Sequence, residues 1–102
     1  MIRAVAEGFA LRLRGHAGSG EPGQDLICAG ASAPVLALRE ELLHLEDEGA
    51  LRFRTLRLEP GDAEICCDPA PGEEETVRVA FDTVVRGLRL LERLFGEHVE
   101  VR

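Results

Sequence analysis

GHAGSGEPGQDLICAGAS, residues 15–32, decides how the rest of the chain must be laid out. Its first half carries Gly15, Gly18, Gly20, Pro22 and Gly23, a density of breakers that no helix or strand survives, so residues 15–24 read as a loop. Its second half changes character at Asp25. That carboxylate stands where a helix N-cap accepts bonds from first-turn amides, and from Leu26 to Leu45 the pattern is helix-like. Leu26, Ala29, Ala33, Leu36 and Leu43 fall on one broad face. Pro34 conflicts with a straight helix, since an interior proline costs about 3 kcal/mol. Either the helix kinks there or a second helix starts at Ser32; the absence of charge in the run favours the kink.

Working outward towards the start, Met1 to Ala6 reads as a strand, Glu7-Gly8 as a turn, and Phe9 to Arg14 as a strand of period two. Beyond the helix, Glu46 to Gly49 ends it. Leu51 and Phe53 alternate with arginines, and the apolar phase then shifts at Leu56 and Leu58, predicting a bulge. Pro60-Gly61-Asp62 turns the chain back into Ala63 to Cys67. Glu73 to Glu75 open a second helix where its dipole favours carboxylates. Val77, Phe81, Val84, Leu88, Leu91 and Phe95 recur at helical steps, and Gly96 is the expected cap. His98 to Arg102 alternates as a short last strand. The sum is an α/β (α+β) fold in the order ββαββα: two hairpins building an antiparallel-containing sheet, with two packed helices and a possible C-terminal strand. At 102 residues a single domain spanning 1–102 is expected.

Nineteen acidic residues against twelve basic give a net charge of −7, which disfavours direct nucleic-acid binding and favours a basic peptide partner. Every basic residue is Arg, so no lysine chemistry is available. Four Phe with no Tyr or Trp make a stacking platform for single strands a poor fit. Three cysteines do not space as a disulfide framework, and the N-terminus lacks a signal core. The longest uncharged run, Leu26 to Leu38, is too short to span a bilayer. A reduced, cytoplasmic protein without membrane association is the expectation.

Cys28 lies in the first turn of the predicted helix, where unpaired amides favour a thiolate and offer donors to an oxyanion. His16, twelve positions upstream, is the side chain suited to pass the proton, if the glycine-rich loop folds it back. Asp25 could orient His16, though capping the helix is its simpler role. Ser32 shares the helix face of Cys28, and could support the site or simply permit close packing. A lone Cys and His more often mean a buried thiol and a loop imidazole than a site. Cys66 and Cys67, adjacent on a strand, point to opposite faces, which suits a zinc site poorly; no metal is expected. His44 and His98 read as surface residues, and the acidic runs at 46–48 and 73–75 as solvated faces.

Gly15-His16-Ala17, a glycine-rich loop, and then Asp25-Leu26-Ile27-Cys28-Ala29 with Ser32 resemble the ribosomal-processing cysteine protease family Prp, with its YsxB-like members. The resemblance implies a catalytic dyad of His16 and Cys28, with Asp25 and Ser32 supporting it. It implies a substrate loop carrying Gly18, Gly20 and Gly23 that moves to admit a peptide. It implies a cofactor-free endopeptidase that removes the N-terminal extension of ribosomal large-subunit protein twenty-seven during ribosome assembly, and a homodimer. The rival function is a non-catalytic module that binds ribosomal proteins or assembly factors with the same loop.

Overall fold

The computed structural model describes residues 1–18 and 26–102, with Leu26 described in its backbone only. Five strands and two helices follow one another as β1 (Ile2–Glu7), β2 (Ala10–Arg14), α1 (Leu26–Asp47), β3 (Leu51–Glu59), β4 (Asp62–Pro69), α2 (Glu74–Leu94) and β5 (Val99–Val101). This is the expected ββαββα order with the short last strand present.

The strands form one sheet in the order β3-β4-β2-β1-β5. Both predicted hairpins are there, β1 with β2 and β3 with β4, each antiparallel. They join through an antiparallel β2–β4 pair, while β5 returns parallel to β1. The predicted bulge in β3 falls where the register shifts between Phe53 and Thr55. Before it Phe53 faces Cys67; after it Thr55 faces Cys66, and Leu56 faces the fully buried Ile65. One extra residue thus moves the leucines into the phase that the leading Leu51 and Phe53 had set. Phe9, expected in β2, sits instead in the turn before it, with the Arg78 guanidinium 5.2 Å from its ring centroid.

One sheet face is apolar. Ile2, Ala4, Leu11, Leu13, Ile65 and Cys67 point inward from alternate positions, and both helices cover them. α2 buries Val77, Phe81, Val84 and Leu88 as its spacing predicts; Leu91 is only half-buried and Phe95 is exposed. Gly96 is not its cap: the helix ends at Phe95, whose N–H donates to the Leu91 carbonyl.

α1 is one helix through Pro34, in line with the favoured reading, so no second helix starts at Ser32; the face it buries is what departs from expectation. Its buried face is Ile27, Ala31, Val35, Leu38, Leu42 and Leu45, whereas Ala29, Ala33 and Leu36 are exposed and Leu43 is half-buried. The reason is local. Residues 26–38 are apolar or small on every side, so their period has no direction until the helix is docked. Tertiary packing chose the face. Burying Leu42 alone, fully shielded here, is worth about 1.5–3 kcal/mol. Gly30 faces Leu91 of α2.

Candidate active site

The end of β2 delivers Gly15, His16 and Ala17 to the same edge of the fold at which α1 begins. Gly15 turns the backbone with φ 96°, and a side chain there would run into the Met1 carbonyl. The Gly15 N–H donates to the Gly61 carbonyl at 2.9 Å, stitching this segment to the β3–β4 turn. The Met1 nitrogen donates to the His16 carbonyl at 2.6 Å. Each neighbour holds the segment by its backbone, leaving the His16 side chain exposed.

His16 rests against Gly61. A Cβ on Gly61 would lie 2.6 Å from His16 Nε2 and push the ring aside, and φ 74° at Gly61 favours glycine in its own right. Cys28 is the third residue of α1, and half-buried. The Ala17 N–H donates to Cys28 Sγ at 3.1 Å. The residue next to His16 is therefore in direct contact with the thiol.

Between these elements lies a cavity of about 320 Å³. His16 and Cys28 both line it, with Ser32 beside them. Leu13, Val35 and Leu58 make its wall apolar, and the β3–β4 hairpin borders it with Glu59, Gly61 and Asp62, the last with its carboxylate paired to Arg14 and Arg57. Ser32 uses its hydroxyl to donate to the Cys28 carbonyl at 2.8 Å, the back-bond of a helical serine. Gly18 is described, with φ 73°; Asp25, Gly20 and Gly23 lie outside the described residues.

Two participants escaped the sequence. Gly61 reads there only as a turn residue, and nothing local says that a histidine forty-five positions upstream packs on it. His98 is not the surface residue expected. Its ring is half-buried, with Nδ1 2.8 Å from the Ala17 carbonyl. His44 is exposed and pairs with Glu48 at 3.1 Å, as a surface histidine does. Cys66 and Cys67 do point to opposite faces. Burial, with Cys66 and Asp68 adding to it, pushes the Cys67 thiol up to about 11. Among the described residues no three His, Cys, Asp or Glu side chains converge on a metal position. No described helix is long and apolar enough to cross a membrane.

A thiol and an imidazole facing one open cavity can perform acyl transfer: the sulfur attacks a carbonyl and the ring carries the proton. Proteins with that chemistry are cysteine hydrolases, and comparison places this chain among those that cut peptide bonds. Residues 3–100 match the sequence family described as cysteine protease Prp; the chain belongs to that family and is a cysteine protease. The fold is similar to that of the essential ribosomal processing protease Prp from S. aureus, solved with a covalently linked product peptide. There the TM-score is 0.77 and identity 21%, covering 99% of this chain and 95% of that one. A second structure of that protease, with a substrate peptide, gives 0.69 and 18% over the same shares. SMU.848 from Streptococcus mutans gives 0.68 and 26%, over 100% of this chain and 92% of that one. None of the curated protein sequences matches.

Proposed function

We propose that this protease removes the N-terminal extension of a ribosomal large-subunit protein during ribosome assembly, with Cys28 as nucleophile and His16 as general base and then acid. The observation that carries the dyad is the shared cavity: two side chains from different elements line it, and the amide next to one donates to the sulfur of the other. An anionic sulfur accepts such a bond more strongly than a neutral one.

In the proposed cycle His16 takes the thiol proton and the sulfur adds to the scissile carbonyl. Backbone amides in the first turn of α1 receive the oxyanion. His16 then protonates the leaving amine, and a thioester to Cys28 remains. Water, deprotonated by the same ring, releases the acid product and restores the thiol. Ser32 supports the backbone of the helix that carries the nucleophile. The segment with Gly18, Gly20 and Gly23 admits the peptide. No cofactor enters any step.

The ribosomal substrate is supported by the processing role of the S. aureus protease and by charge. Ribosomal proteins are basic, and this chain carries −7. A cytoplasmic homodimer completes the proposal. The test is cleavage of an N-terminally extended ribosomal protein by the wild type, Cys28→Ala and His16→Ala. Both variants should fold and neither should cleave; cleavage by Cys28→Ala would remove the nucleophile assignment.

A further inference from the structure

His98 lies on the turn between α2 and β5, far from the site in sequence. Its own backbone is fixed on both sides: its N–H donates to the Phe95 carbonyl at 2.8 Å, and its carbonyl accepts from the Ile2 N–H at 2.8 Å. The half-buried ring then reaches the Ala17 carbonyl with Nδ1 at 2.8 Å. A carbonyl only accepts, so Nδ1 must carry the hydrogen, in the neutral ring and in the imidazolium alike.

Ala17 needs such a tether. Gly18 follows it directly and Gly15 stands two positions before it, and both glycines have positive φ. Its buried methyl is one anchor, and its carbonyl is the other. The same residue aims its N–H at Cys28 Sγ. We infer that His98 is a positioning residue of the protease site: from the last turn of the chain it fixes the Ala17 peptide, and through it the amide on the Cys28 sulfur and the point where the glycine-rich segment departs. The catalytic meaning rests on Cys28 being the nucleophile; the geometric claim does not.

Asparagine and glutamine separate this role from simple packing. The side-chain N–H of Asn falls where Nδ1 stands, and that of Gln one carbon further out. In His98→Ala and His98→Gln, iodoacetamide should label Cys28 at neutral pH about five- to tenfold more slowly than in the wild type, the effect of one lost hydrogen bond to the segment. His98→Asn should stay within about twofold of the wild type. On a peptide substrate kcat should fall in the same two variants with KM little changed. Equal Cys28 labelling across Ala, Gln and Asn overturns the inference, as does Asn failing together with Ala. If His98→Ala does not fold, the Asn–Gln comparison decides alone. Cleavage assays on Cys28→Ala run alongside keep the two claims apart. Cleavage surviving there overturns the nucleophile assignment, whereas unaltered labelling in the His98 variants overturns only the positioning role.

Discussion

At the scale of single residues, Gly61 is the glycine that bears most directly on the proposed base. Gly61→Ala adds a carbon 2.6 Å from His16 Nε2, and forces a left-handed backbone on an L residue, at roughly 1–2 kcal/mol. Gly72 has φ 86° with open space around its missing side chain, which makes it the matched control. Both alanine variants should lose stability by similar amounts in denaturant melts. Only Gly61→Ala should lose peptidase activity, by about tenfold or more, because the displaced ring is the proposed base. Equal activity in the two would show that the His16 position is immaterial. Cys67 gives a pH prediction of the opposite kind. Its thiol keeps the proton in the fold up to about 11, whereas an ordinary cysteine loses it near 9.0. Below that ordinary value folded and unfolded chains hold the same proton and the contribution is whole; it is lost as pH rises through about 11. The melting temperature should therefore fall between these values more steeply in the wild type than in Cys67→Val. His16 and Cys28 stood out in the sequence as candidate chemistry because the local pattern is dense. His98 was not, since the bond that defines its role joins positions eighty-one apart.

At the scale of elements, the two helices differ in how much they disclosed. In α2 charged residues separate the apolar ones, so Val77, Phe81, Val84 and Leu88 could face only one way. In α1 the first half is apolar all round, and which side would be buried depended on the sheet beneath it. The same indifference explains how Pro34 fits. Its ring is half-buried, and its missing N–H leaves the Gly30 carbonyl without that helical donor. Pro34→Ala should raise stability by roughly 2–2.5 kcal/mol, the interior cost less the entropy that proline removes from the unfolded chain. Chemical denaturation measures it, and a loss of stability would mean that the ring's packing outweighs the lost bond. The sheet edge has a device of its own. Glu92 of α2 accepts from the Val101 N–H at 2.7 Å, occupying a donor on the edge strand β5 and tying it to the helix.

At the scale of the whole molecule, the pairing of β2 with β4 merges two local hairpins into one sheet. Each hairpin was visible from its turn, but nothing within either specified the partner, and the parallel return of β5 was equally silent. The open sheet face is held by exposed pairs, Arg12 with Glu64 at 3.7 Å and Arg14 with Asp62 at 3.5 Å, each worth little by itself. The excess of acidic over basic residues acts on encounter. With a charge of −7, kcat/KM on a basic peptide should fall about threefold or more as salt rises from about 50 to about 300 mM, through KM and the association rate. No salt dependence would argue against steering. Sedimentation equilibrium should return twice the 11.1 kDa chain mass if the homodimer holds.

The claim on which the rest depends is that His16 activates Cys28. Site-resolved mass spectrometry after limiting iodoacetamide at neutral pH measures it without any substrate, with the half-buried Cys66 as internal reference. Cys28 should be labelled about tenfold faster than Cys66 in the wild type, and His16→Ala should erase that advantage. Labelling of Cys28 no faster than Cys66, or unchanged by His16→Ala, would contradict the dyad.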